Sequence, residues 1–329
     1  MGHVYIVTHT DLDGVGSAAA ILRIMGLVDG GATIIYAEPY NVDEKLGSLS
    51  DHVGKGDRLV ISDLGPNRDS FKQAIAHLKT IAGRGVEVEW YDHHIWDPVE
   101  EEAMRSAGAR LFVDRSTCAT GVVVRHATRI HGVNEDQVLR DLEAIVCAAD
   151  LWRWDHPLAP KLVRVVGWNG DEDRDEWRNR IAYKLASGVF WDGELEERLQ
   201  SYIDEELSGY ASIMRTIYVK DGKCRVAAAY KPRSPPASSY VGGMLQSRYQ
   251  ADVAVIIRPN GALSLRSKRV DVQVIARALG GGGHPRASGA KVHLPLWARI
   301  LQLLYPKAYS RYAAGLVYKI AVETRSCGG

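Results

Sequence analysis

The stretch HVYIVTHTDLDGVGSAAAILRIM, residues 3–25, decides the fold. Its opening VYIVTHT is rich in β-branched and aromatic residues and reads as an extended strand, in which residues i, i+2 and i+4 face one side. His9, Asp11 and Asp13 then gather at the carboxyl end of that strand. The run that follows passes from glycines and small residues into Ala, Leu, Ile and Met, which supply helix propensity and an apolar face. Three metal-seeking side chains therefore sit at a strand-to-helix crossover, the place where open α/β sheets hold ligands.

The same rhythm continues through the first half. ATIIYAEP, DRLVISDLG, VEVEWYDHH and ARLFVD are further strand candidates, separated by the helical NRDSFKQAIAHLKTIAG and PVEEEAMRSAG. Alternation of this kind predicts a parallel sheet wrapped by helices. A helical block follows, from TGVVVRHATRIHG through NEDQVLRDLEAIVCAAD to DRDEWRNRIAYKLASG, and the charged DGELEERLQSYIDEELSGYASIMRTI reads as one long connecting helix. Beyond it the texture changes. YVKDGKCRVAAAY reads as a strand, KPRSPPASS as a turn and YVGGMLQSRY as a helix; two strands, a helix and a glycine run complete a smaller α/β unit. The expected organisation is a metal-bearing domain at 1–191, a helical connector at 192–216 and a basic domain at 217–329. The tail beyond 295, with an amphipathic helix and four tyrosines, reads as a packing or dimer-contact appendage, which admits a homodimer.

With 329 residues, 46% hydrophobic and 25% charged, the chain has the composition of a globular protein long enough for two domains. No window of about 18 uninterrupted apolar residues is present, and the N-terminus lacks the succession of a signal peptide. A cytoplasmic protein without membrane segments is expected. Cys118, Cys147, Cys224 and Cys327 are dispersed and form no CxxC pair, so neither a zinc ribbon nor a disulfide framework is expected. The net charge of +1 hides a division: from Ile217 onward there are 18 Lys and Arg against 4 Asp and Glu, whereas residues 1–216 hold 23 against 36. An acidic half suits cations and a basic half suits anions, which a substrate with phosphates satisfies together.

Four places in the acidic half put carboxylate or imidazole groups at strand or helix ends: His9, Asp11 and Asp13; Asp63 in LVISDLG; Asp92, His93 and His94 in WYDHH; and Asp150 in AIVCAAD. Gathered on one rim, these groups would repel unless divalent cations neutralise them. A donor set of carboxylates and imidazoles without thiolates suits Mn²⁺ above Zn²⁺ and admits Mg²⁺.

These motifs, HTDLDGVGS, SDLG, DHH and CAAD in that order, resemble the signature motifs of the DHH phosphoesterases. The run SLRSKRVDVQVIARALGGGGHPRASGA, residues 264–290, is similar to that family's associated substrate-binding domain, whose mark is a glycine cluster ending in His. The resemblance implies two Mn²⁺ ions, one held by His9, Asp11 and Asp63, the other by Asp13, Asp63, His93 and Asp150, with Asp63 bridging. It leaves His94 facing the leaving group or a phosphate as a donor, and Asp92 orienting an imidazole. The implied reaction is two-metal phosphoester hydrolysis.

The glycine run offers bare backbone amides to an anion at Gly281, Gly282 and Gly283, with His284 and Arg286 adding cationic contacts and Arg266 and Ser267 reaching in from the neighbouring strand. Trp152 and Trp154 invite a stacked nucleobase, and Arg115 or Thr120 reads as a substrate contact or a helix cap. His126 and His131 read as ordinary surface residues. The resemblance places the chain near the branch that degrades short RNA or DNA oligonucleotides and small nucleotides such as 3′-phosphoadenosine 5′-phosphate. The rivals are a RecJ-like single-strand exonuclease, which the HTDLDG spacing favours, a cyclic-dinucleotide phosphodiesterase, and a non-catalytic module that recruits nucleic acid.

Overall fold

A computed structural model describes residues 2–168 and 173–327. Met1, 169–172 and 328–329, which the expected domains include, lie outside the described residues. Two compact units divide the chain between Gln200 and Ser201.

The first unit alternates strands and helices: β1 Val4–His9, α1 Leu12–Ile24, β2 Ala32–Ala37, α2 Val42–Ser50, β3 Arg58–Ser62, α3 Phe71–Gly83, β4 Glu87–Asp92, α4 Pro98–Ser106 and β5 Ala109–Val113. Helices α5 Ala119–His131, α6 Gln137–Asp150, α7 Ala159–Val166 and α8 Arg174–Ala186 follow. The five strands form one sheet in the order β2-β1-β3-β4-β5, every pairing parallel. The apolar runs IV, LVI and WY of β1, β3 and β4 are wholly buried, as expected of strands covered on both faces. Strand order reverses between β1 and β3, so the crevice at their carboxyl ends is the topological switch point of the sheet.

The long helix α9, Gly193–Met214, occupies the segment expected as connector. The second unit contains β6 Tyr218–Lys220, β7 Val226–Tyr230, α10 Ser238–Tyr249, β8 Val253–Ile257, β9 Ala262–Arg266, α11 Val272–Ala278, β10 Gly282–Gly283, β11 Ala287–Lys291, α12 Leu296–Leu304 and α13 Ala308–Glu323. Its six-stranded sheet runs β10-β11-β9-β8-β7-β6, with β7 and β8 parallel and the rest antiparallel. The stretch read as one strand at 218–230 is a hairpin, because residues 221–225 turn the chain between β6 and β7. Helix α13 packs its Ala313, Ala314, Val317 and Ala321 into the core beneath this sheet, so part of the tail is core.

The four cysteines depart from expectation. Cys118 is bonded to Cys147, with Cα atoms 5.2 Å apart, and Cys224 to Cys327, at 5.6 Å. Dispersal along the sequence concealed them, since the partners lie 29 and 103 residues apart and only folding brings them together.

Candidate metal centre

Parallel strands deliver their carboxyl ends to one rim, and the acidic and imidazole groups stand there. His9 ends β1, and Asp11 caps α1, its carboxylate accepting from the backbone N–H of Asp13 at 3.1 Å and Gly14 at 3.2 Å. Position 14 requires glycine: a Cβ there would lie 2.1 Å from the His9 carbonyl oxygen. Asp63 follows β3 in the left-handed region, with φ +56°, a conformation that costs a non-glycine residue about 1 kcal/mol or more. Its backbone N–H donates to the Tyr91 carbonyl at 3.0 Å, which holds the turn against β4. Asp92 closes β4, His93 and His94 follow it, and Asp150 is the last residue of α6.

These residues form three groups whose donor atoms lie within 4.8 Å of one another: His9, Asp11 and Asp63; Asp63, His93 and His94; Asp13, His93 and Asp150. Asp63 belongs to two of them and His93 to two. His9 Nδ1 is 3.1 Å from Asp11 Oδ2 and 3.5 Å from Asp63 Oδ2. His93 Nε2 is 3.5 Å from Asp63 Oδ1 and 3.9 Å from Asp13 Oδ2, and its Nδ1 is 3.6 Å from Asp150 Oδ2.

Asp63 Oδ2 and Asp150 Oδ2 are buried without a hydrogen-bond donor. A buried carboxylate oxygen left so is costly unless something cationic meets it. Hard oxygen donors joined by imidazoles, with no thiolate among them, fit Mn²⁺ or Mg²⁺. The electrostatics agree. Burial, then the charges of Asp63 and Asp150, push the Asp13 carboxyl well above its usual range. Asp150 is pushed up to about 7 by burial and by Asp63 and Asp11, against the pull of His93. Burial draws His93 down, but Asp63, Asp13 and Asp150 outweigh it and raise the imidazole to about 10. In the absence of a cation the cluster keeps protons to limit its own repulsion.

A surrounding ring of bonds aims these groups. Asp13 is received by the N-terminus of α5: the Ala119 N–H donates to Oδ2 at 2.7 Å, and the Thr120 N–H and hydroxyl donate to Oδ1 at 2.8 and 2.7 Å. Oδ2, with a single donor, keeps a lone pair for a further partner. Thr120 thus holds Asp13, and Cys118 occupies the cap position of α5. His9 Nε2 lies 3.2 Å from Glu38 Oε2, and the Thr10 hydroxyl donates to Glu38 Oε1 at 2.6 Å. Asp92 accepts from His94 Nδ1 at 2.8 Å and from the Trp96 indole at 2.6 Å. This lowers the Asp92 carboxyl and raises His94 despite their burial.

Sequence reasoning missed Glu38 and the α5 cradle. Glu38 stands just past β2, so the rule that selected the other strand ends would have found it; Ala119 acts through its backbone amide and carries no residue-type signal, and Thr120, read as a substrate contact or a helix cap, instead holds Asp13. His131 also departs from expectation. Its side chain is 10% exposed, with Nε2 3.2 Å from the buried carboxylate of Glu89, which also accepts from Arg110 and Tyr91.

The second unit places the remaining candidates on the neighbouring strands β10, β11 and β9 and the turns beside them. Gly282 and Gly283 form β10 and pair with β11, with Gly283 at φ +128°. His284 and Arg286 are exposed in the turn that follows. Arg266 is half-buried, its stem against Gly242 of α10, where a Cβ would lie 2.8 Å from the arginine Cγ. Its guanidinium donates to the Leu265 carbonyl. Ser267 is buried, and its hydroxyl accepts from the N–H groups of Arg269 and Val270, so it shapes the loop. In the first unit, Trp152 and Trp154 stand edge to face at 5.1 Å, both with left-handed backbone, and Trp152 is exposed.

Residues 221–305 match the model of the DHHA1 domain. No curated protein sequence matches the chain. Among solved structures, the chain is similar to RecJ of Thermus thermophilus in complex with Mn²⁺ (TM-score 0.59, 17% identity, 97% of this chain and 52% of that one). It is also similar to PggH, a pGpG-specific phosphodiesterase of Vibrio cholerae (0.56, 13%, 97% and 99%), and to an exopolyphosphatase-related protein of Bacteroides fragilis (0.55, 12%, 96% and 93%). The chain therefore spans about half of the RecJ structure, and at these identities the likeness is one of fold. Residues 221–305 of the second unit are thus matched by the DHHA1 domain, and the chain as a whole shares the fold of these solved structures.

Proposed function

We propose that the chain hydrolyses phosphodiester bonds in short RNA or DNA oligonucleotides, and the phosphomonoester of small nucleotides such as 3′-phosphoadenosine 5′-phosphate, with two Mn²⁺ ions. The observation that carries the reading is Asp63, buried, with one oxygen lacking a donor, and shared between the His9–Asp11 and His93–His94 groups. His9, Asp11 and Asp63 would hold one ion, and Asp13, Asp63, His93 and Asp150 the other. Bound there, the ions would lower the pKa of water and neutralise charge on the phosphoryl oxygens. Hydrolysis joins a water oxygen to phosphorus as the ester bond breaks, and the departing oxygen needs a proton. His94 is suited to supply it to the leaving group or a phosphate oxygen, because Asp92 holds and orients its imidazole through Nδ1. In the basic domain, which we take as 217–329, Arg286 and His284 offer cationic contacts to a second phosphate beside the Gly281–Gly283 amides, with Arg266 and Ser267 shaping that loop.

The test is hydrolysis of 5′-labelled RNA and DNA from two to about twenty-four nucleotides with Mn²⁺, beside pGpG, cyclic di-AMP and 3′-phosphoadenosine 5′-phosphate, with Asp63→Ala as control. Fastest turnover on two- to five-mers supports the proposal. Processive consumption of long single strands replaces it with a RecJ-like exonuclease, preference for cyclic di-AMP with a cyclic-dinucleotide phosphodiesterase, and binding without cleavage with a recruiting module.

A further inference from the structure

Among the described residues, helix α12 presents an outer apolar face that is largely exposed, only Trp297 leaning on a neighbour, Tyr312. Leu303 is 85% exposed, Leu304 84%, Leu296 71%, and Trp297 and Ile300 57% each. These positions fall at i, i+1, i+4, i+7 and i+8, which is one stripe of a helix about 13 Å long. On the opposite side Ala298 is buried in the core, so the helix is anchored and its outer stripe is presented. Contiguous exposed aliphatic surface of this kind marks a site of association.

The charge beside it selects the partner. From Val272 to Val322 the chain has no Asp or Glu, yet it has seven Lys and Arg. Lys291, His293 and Arg299 line a recess of about 410 Å³ with Asn260, and Arg299 belongs to α12 itself. Two copies pairing through this face would bring one cationic flank against the other, which disfavours self-association. A long nucleic acid would satisfy the cations but not five exposed aliphatic and indole side chains. An anionic bilayer surface satisfies both: leucine, isoleucine and tryptophan enter the boundary between headgroups and acyl chains while lysine and arginine meet lipid phosphates.

We propose that α12 and the adjoining recess form a docking surface for anionic phospholipid, by which the protein lies on a membrane without crossing it. Among the described residues no helix is long and apolar enough to span a bilayer. Sequence reading expected no membrane contact because it searched for spanning segments alone.

The experiment is co-sedimentation of the full-length protein with sucrose-loaded vesicles of phosphatidylcholine alone and of phosphatidylcholine with phosphatidylglycerol, with sedimentation velocity in parallel. Binding is expected to the phosphatidylglycerol vesicles, weakened by salt and lowered by about tenfold or more in Leu303→Glu/Leu304→Glu. Arg299→Glu, which leaves the apolar stripe intact, is expected to weaken binding to anionic vesicles while circular dichroism stays unchanged. Failure to bind either vesicle overturns the proposal. So does equal binding to both, or a dimer that Leu303→Glu/Leu304→Glu converts to monomer without any vesicle binding.

Discussion

Replacing Asp150 by Asn separates a metal centre from a structural ion-pair cluster, because the two readings predict opposite signs. Asp150 and Asp13 oxygens lie within 4.8 Å of each other. Burial is the main reason that the Asp150 carboxyl is raised to about 7. The charges of Asp63 and Asp11 also raise it, while His93 Nδ1, 3.6 Å away, returns roughly 4–5 kcal/mol at an effective dielectric of about 20. An acid whose folded pKa exceeds its unfolded value opposes folding when ionised: the opposition begins near the unfolded pKa, grows as pH rises and is complete above the folded pKa. From 3.8 to about 7 the full effect is about 4 kcal/mol. The assay is urea unfolding of chelator-treated protein at pH 5 and pH 8, repeated with Mn²⁺. Metal-free Asp150→Asn is expected to be more stable than wild type by under about 2 kcal/mol at pH 5 and by about 4 kcal/mol at pH 8. With free Mn²⁺ at about 100 times Kd, wild type gains about 2.7 kcal/mol and the variant little. A metal-free variant less stable than wild type at pH 8, with an equal response of both proteins to Mn²⁺, would refute the reasoning and make Asp150 a structural partner of His93.

Other consequences are also measurable. Because the His93 imidazole, raised to about 10, holds a proton in the metal-free protein, Mn²⁺ binding at neutral pH should release protons. Titration heats would then vary with the ionisation enthalpy of the buffer, and buffer-independent heats would contradict it. Thr120→Val keeps the shape of the side chain but removes its hydroxyl bonds to Asp13 at 2.7 and 3.1 Å. A fall in Mn²⁺ affinity of about tenfold is expected by calorimetry, as for other groups that orient metal ligands. Cys118→Ala/Cys147→Ala opens a loop spanning 29 residues and should lower stability by about 3–4 kcal/mol on loop-closure entropy. Since that bond joins the α5 cap to α6 one turn before Asp150, Mn²⁺ affinity should fall with it; unchanged melting and affinity would show that the link is dispensable.

The comparison of sequence with structure follows the range of each signal. Alternating β-branched runs and helical periodicity are local, so the parallel sheet, the long helix at 193–214 and the second unit's helices were legible as elements. The residues at strand ends were legible too, because position in a strand dictates which rim receives them: His9 and Asp92 end their strands and Asp63 follows β3, while Asp150 ends helix α6. Glu38 obeys the same rule and was overlooked. The hairpin at 218–230 was lost because its five-residue turn, 221–225, was read as part of one strand.

The sequence by itself determined the alternation of strand and helix, the acidic and basic halves, and the residue types carried to the rim, since each depends only on neighbours along the chain. Tertiary structure alone decided which groups meet. Asp13 is held by amides 106 and 107 residues away, Cys224 finds Cys327 across 103 residues, and His131 leaves the surface for Glu89. Asp63 takes a left-handed backbone whose cost is offset by its bond to Tyr91 on the neighbouring strand. Contacts of that range are set by sheet order and helix packing, which bring distant atoms together through cooperative burial and leave no mark in any short window of residues.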